Sequence, residues 1–239
     1  MERTRGIPAW TAVLAAACLA TAQAQEVKPA PGGEVRAPVV QSKSPDGPEV
    51  EIGVVGRVSL PTGTVESEMS LKYDDLFKSG IGFSVEGSVL WPRNEKWRIG
   101  PYLSVGWDRF DGKSFTDDFG DTLSPDKLEI LTVLAGFRGI YNLGQHFTWD
   151  GHAALGAAHY SRTSGTLILS GTPVDVDVFK SGTTVAFDMG TRVAYDTGRV
   201  FFDVGLDLRV QGAPKEGDFS FSADPLTTLG LEFGAGIRF

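Results

Sequence analysis

His159 and Ser161 come nearest to a catalytic pair by type and spacing. Two positions apart on a β-strand, they share a face, and an imidazole beside a hydroxyl can act as base and nucleophile toward an ester. No acid is clearly placed to orient the ring, so the competing reading is an interfacial histidine and serine. The stretch 108–126 is acidic, with Asp108, Asp111, Asp117, Asp118, Asp121 and Asp126. Such oxygen ligands suit Ca²⁺, but their spacing fits no EF-hand and a solvated loop is the expectation. His146, His152 and His159 are the only histidines, and strand parity puts His152 on the opposite face from His159. No Cys/His cluster, P-loop or dinucleotide fingerprint is present, so no catalytic site, metal or cofactor is predicted. A net charge of −8 offers no basic surface, which excludes nucleic acid as a partner.

The larger constellation is ionic: Glu51, Arg57, Glu86, Arg98, Asp108, Arg138, Asp150, Asp188, Arg192, Asp203, Asp207, Arg209, Glu232 and Arg238. The elements that must position it are strands. From Glu49 onward, apolar and polar residues alternate over eight segments, roughly 49–60, 80–91, 97–109, 128–142, 146–160, 182–195, 199–210 and 227–239. In RVFFDVGLDLRV, Val200, Phe202, Val204, Leu206, Leu208 and Val210 share one face, and Arg199, Asp203, Gly205, Asp207 and Arg209 the other. Helical periodicity is faint and confined to residues 70–79. Connections alternate in length, with long ones first, third, fifth and seventh and short turns between. Long and short loops therefore gather at opposite ends. Trp91 and Trp97, Tyr141 and Phe147, and Tyr195 and Phe202 flank the three short turns, as in an aromatic belt at a membrane–water interface.

Volume decides which face is inside. An eight-stranded barrel encloses only enough space for side chains to fill it. The apolar face carries Trp91, Trp97, Trp107, Trp149, Phe83, Phe137, Phe147, Phe187, Phe202, Phe233 and Tyr195, too bulky for so narrow a bore. The other face mixes glycines with the ionic set, so long arginines find room and both signs are present to pair. Arg or Lys facing lipid near the midplane would cost roughly 2–4 kcal/mol. The expectation is an all-β, eight-stranded antiparallel up-and-down transmembrane β-barrel, apolar outside. It is closed, because backbone groups in hydrocarbon must be satisfied internally. For the ionic lumen two readings stand: a structural ion-pair plug, or a narrow gated polar pore.

The N-terminus reads as an export signal. Arg3 and Arg5 precede an apolar run from about Ala9 to Ala20, then Ala22-Gln23-Ala24, with cleavage expected after Ala24. The run is shorter than the ~20 residues a spanning helix needs, and Cys18, the only cysteine, falls within the removed segment. Residues 25–48, rich in proline, glycine and charge, are expected to form a flexible leader, and residues 49–239 the barrel.

The cleavable signal, eight alternating strands, alternating loop lengths and final segment GAGIRF ending on Phe239 resemble the small eight-stranded outer-membrane barrels of Gram-negative bacteria: the OmpA transmembrane-domain, OmpX and OmpW-like proteins. The resemblance implies that the last strand serves as a signal for the outer-membrane assembly machinery, with Phe239 as its terminal residue. It also implies an outer-membrane monomer in contact with membrane lipid and lipopolysaccharide. DPLTTLGLEFGAGIRF resembles the ending of OmpW-like proteins, a family associated with uptake of small hydrophobic compounds. His159-Tyr160-Ser161 resembles the H-x-S motif of lipid A deacylase barrels, although Arg162 stands where that family has asparagine. The leading expectation is a non-enzymatic barrel with a structural or surface-interaction role. A narrow passive transporter and a lipid A acyl hydrolase are the alternatives.

Overall fold

Strict period-two patterning over more than ten residues commits each segment to a strand with one apolar face, and eight such strands can satisfy all their edges only by closing. The computed structural model of the protein describes residues 47–66, 71–117, 120–218 and 223–239. The expected signal peptide, and all but the last two residues of the expected leader, lie outside the described residues. The strands are β1 (Glu49–Thr62), β2 (Gly80–Pro92), β3 (Trp97–Asp111), β4 (Lys127–Asn142), β5 (Phe147–Tyr160), β6 (Gly182–Asp196), β7 (Val200–Gln211) and β8 (Leu226–Arg238). Each pairs antiparallel with the next, and β1 pairs with β8 from Glu51↔Arg238 to Thr62↔Thr227, closing the barrel. Every strand boundary lies within two residues of the alternation read from the sequence.

The faces are sorted by exposure. Phe137, Leu155 and Phe233 are 68%, 61% and 54% exposed, whereas Arg192 and Glu232 are 2% and 0% exposed. A soluble barrel would show the reverse. Along β3 the outward apolar run extends from Trp97 to Trp107 before Arg109 and Asp111 begin. Ten residues at ~3.3 Å each, tilted by about 40°, give a band about 25 Å tall, the apolar height of a transmembrane barrel. Trp107 and Phe187 are only half exposed, and the Trp107 ring packs on Phe83 at 5.8 Å.

The long connections hold more structure than their sequence suggested. A single helical turn, α1 (Tyr73–Leu76), sits in the first, within the stretch of faint helical period. The others contribute a separate five-stranded sheet, in spatial order Lys215–Glu216, Thr172–Lys180, Thr163–Leu169, Thr122–Pro125 and Phe115–Thr116. Its central hairpin turns at Ser170 (φ 50°) and Gly171 (φ 84°), left-handed conformations suited to a two-residue hairpin turn.

Candidate functional site: the filled bore

The inward face of the strands brings the ionic set together at mid-height. In the strand order around the barrel, β6 lies diametrically opposite β2, and β7 opposite β3. Arg192 on β6 spans the bore to Glu86 on β2, donating two hydrogen bonds of 2.6 and 2.8 Å, and a third of 2.7 Å to Glu232 on β8. Arg209 on β7 donates to Asp108 on β3 at 2.8 Å and to Asp188 on β6 at 2.8 Å. Arg57 joins the two spans, meeting Glu232 and Asp108 at 3.2 Å and Asp207 at 3.2 Å. The glycines make this possible: a Cβ on Gly205 would stand 2.4 Å from Cγ of Arg192.

At the short-turn end Arg138 is bound to Asp150 and lies 3.2 Å from Glu51. Arg98 is bound to Glu49, and Arg238 to Asp196 and Glu51. The guanidinium groups of Arg138 and Arg238 both lie 5.8 Å from the Phe201 ring centroid, within cation–π range. Glu49 and Asp196 were missed in the sequence although their parity matches Glu51 and Arg192. His152 was placed on this face but not in the network; its Nε2 meets Asp188 at 2.9 Å and its ring stacks on Tyr102 at 5.1 Å. Asp203 departs from the expected network. It is buried and inward, but neither oxygen has a hydrogen bond or ion pair. Its carboxylate lies against Gly234, while the hydrogen bonds of Arg138 and Arg192 go to other carboxylates.

Above the ionic layer the bore is capped by apolar side chains. Tyr73, Leu76 and Phe77 from α1 and its flank pack with Phe110, Leu128, Ile130, Tyr160, Val178, Phe179 and Leu226. The Phe179 ring lies 6.3 Å from both Tyr73 and Phe77. Tyr73 donates its hydroxyl to the Asp224 carbonyl at 3.0 Å. Burial, reinforced by the Asp224 charge, pushes its phenol above the ordinary tyrosine value, so it remains a donor. This cap was not legible from alternation, because its residues belong partly to loops.

The other sequence candidates fall outside the bore. His159 faces outward near the long-loop end, but its hydrogen bonds go to the Thr183 hydroxyl (Nδ1, 3.0 Å) and the Ser181 hydroxyl (Nε2, 3.4 Å), not to Ser161. Thr183 lies directly opposite His159 in the β5–β6 register and Ser181 just precedes β6, whereas Ser161 falls beyond the end of β5, so the expected shared strand face is not formed. In the acidic stretch Asp108 points into the bore, Asp121 accepts from the backbone of Ser170 and Asp111 pairs with Arg109. No cluster suited to a metal occurs among the described residues. Trp91, Trp97, Phe147, Tyr195 and Phe202 are exposed and Tyr141 is half exposed, all at the short-turn end; Trp97 packs on Tyr141 at 4.9 Å and Phe147 on Tyr195 at 5.4 Å. Phe239 is 71% exposed at the same end, its amide donating to Val50.

A closed barrel with a lipid-facing band and a filled interior can then be set beside known proteins. The sequence model of the autotransporter β-domain family matches residues 57–207. The chain belongs to this family. As an autotransporter β-domain it is an outer-membrane barrel, here of eight strands. No curated protein matches it. Solved structures similar to this autotransporter β-domain include Ail, the attachment invasion locus protein of Yersinia pestis, at 17% identity over 81% of this chain and 99% of that chain, with a TM-score of 0.43. Neisserial surface protein A is 15% identical over 81% of this chain and 97% of that one (TM-score 0.42). The outer membrane protease OmpT of Escherichia coli is 8% identical over 82% and 97% (TM-score 0.48).

Proposed function

We propose that this barrel is a non-enzymatic, solute-tight outer-membrane protein that holds an ordered platform of loops at the cell surface. The observation that carries the reading is the pair of diametric bridges, Arg192–Glu86 and Arg209–Asp108, which cross the bore at hydrogen-bond distance. The apolar cap around Phe179 adds a second seal, and the hairpin Thr163–Leu169/Thr172–Lys180 extends the folded part beyond the barrel wall. Lipid and lipopolysaccharide surround the outward band, the assembly machinery engages the last strand, and the barrel works as a monomer. The export signal is cleaved before assembly.

Planar-bilayer recording tests the seal. Purified barrel is expected to give no steady conductance steps, and regular single-channel steps would replace this reading with that of a narrow transporter. Mass spectrometry of lipid A from cells with and without the protein tests the absence of catalysis. The acyl pattern is expected to be the same, and loss of an acyl chain that Ser181→Ala or Ser161→Ala abolishes would overturn it.

A further inference from the structure

The sheet built from the long connections leaves one strand edge open. Thr172–Lys180 pairs with Thr163–Leu169 on one side. On the other side the fourth long connection covers only the end nearer the barrel. Phe179 and Lys180 pair with Glu216 and Lys215. The Asp177 amide donates to the Asp218 carboxylate at 2.7 Å, and its carbonyl accepts from the Asp218 amide at 2.8 Å. Backbone groups two residues apart along a strand point the same way, so the N–H and C=O of Asp175 and the C=O of Pro173 face this edge too. Among the described residues no strand meets them. Asp175 and Pro173 share a face with Ile168, and Val174 shares the other with Leu167 and Leu169. Ile168, Leu169 and Val174 are exposed. Charge here is one-sided. Residues 114–126 and 163–178, which supply most of the sheet, carry six aspartates and neither lysine nor arginine. At the base Arg162 pairs with Asp177 at 2.6 Å, whereas Asp175 has no ion pair among the described residues.

These features choose the occupant. Backbone donors and acceptors at ladder spacing are met by another backbone. A second copy of this chain fits poorly. Self-pairing centred on Asp175 sets two carboxylates opposite each other, which destabilises a sheet. Pairing Asp175 with Pro173 instead loses a bond at each proline. A strand with lysine or arginine opposite Asp175 and an apolar residue beside Val174 answers both faces. We propose that the edge from Pro173 to Val176 is a docking site for an extended polypeptide segment of alternating basic and apolar residues, added as a further strand of the sheet. Docking in this way depends on the ordered loop platform proposed above.

Fluorescence anisotropy with the intact barrel in phosphatidylcholine nanodiscs tests this, using a labelled peptide of alternating lysine and valine. Wild type is expected to bind it. Asp175→Lys, a change at an exposed position, should weaken binding at least about tenfold. N-methylation of the lysine amides, which would face the edge, should weaken binding as much. Methylation of the valine amides, which would face away, should leave it unchanged. A wild type that binds no peptide overturns the proposal, as does undiminished binding by Asp175→Lys or of the lysine-methylated peptide. Equal binding of a glutamate–valine peptide would also overturn it. Limited proteolysis in the same nanodiscs separates the docking site from the platform. A hairpin that resists cleavage but binds no peptide overturns the docking site alone, whereas one cut readily at Ser170-Gly171 overturns the platform with it.

Discussion

Replacing Arg192 by methionine tests whether the bore is dry. The substitution removes three charge-assisted hydrogen bonds, two to Glu86 and one to Glu232. Their losses are unequal. Glu232 keeps Arg57 at 3.2 Å, whereas Glu86 keeps no cation, only the hydroxyls of Ser84, which donates to it at 3.1 Å, and Tyr102. The consequence is one stranded carboxylate at 3% exposure. Breaking a buried pair from one side costs about 3–5 kcal/mol, while removing both partners is often close to neutral. Arg192→Met should therefore lower unfolding stability by about 3–5 kcal/mol, and adding Glu86→Leu should restore most of it. The measurement is urea unfolding of the lipid-reconstituted barrel, followed by tryptophan fluorescence and by the mobility difference between boiled and unboiled protein in SDS gels. A loss below about 1 kcal/mol for the single variant, the size typical of a solvated pair, would refute the dry plug. So would a double variant no more stable than the single.

Three further perturbations probe other levels. Leu155→Arg, on the outward face between Trp149 and His159, should cost about 2–4 kcal/mol in lipid; a neutral result would mean that face is not in a bilayer. Phe179→Ala removes a fully buried ring from the cap, worth about 3–5 kcal/mol at a core site, and should expose the long loops to protease while the barrel resists; unchanged cleavage would show that the cap does not order the loops. Deleting Phe239 should leave export intact but reduce the amount of barrel in the outer membrane, and normal membrane levels would remove its part in assembly.

The wall was legible because its constraint is local. Every second residue of β7, from Val200 to Val210, reports the same face, and a one-residue slip would have inverted it. The short turns were legible for a similar reason: Asn94, whose side chain accepts from the amides of Lys96 and Trp97 at 2.9 Å, sits in a polar break between apolar runs. The partners within the bore were not legible. Parity puts Arg192, Asp203 and Glu86 on one surface, but which carboxylate an arginine reaches depends on the shear of the closed barrel. That is why Asp203 lacks the partner that Glu86 has. The loop sheet carried one unused signal, the Ser170-Gly171 dipeptide between LIL and PVDV, which marks a hairpin. Its neighbours, such as Thr122–Pro125, are too short to show a period and are fixed only by pairing with distant segments.

The bridges that fill the bore join residues remote along the chain: Arg57 and Glu232 are 175 positions apart, and Arg238 and Glu51 are 187 apart. Until the first and last strands meet, these groups lack the partner across the seam, although Arg57 can still reach Asp108, Glu232 Arg192, Glu51 Arg138 and Arg238 Asp196. Zipping the seam therefore completes a network that the other strands only begin. A half-wound intermediate keeps part of the electrostatic penalty, so the same charges that fill the bore also favour finishing the winding.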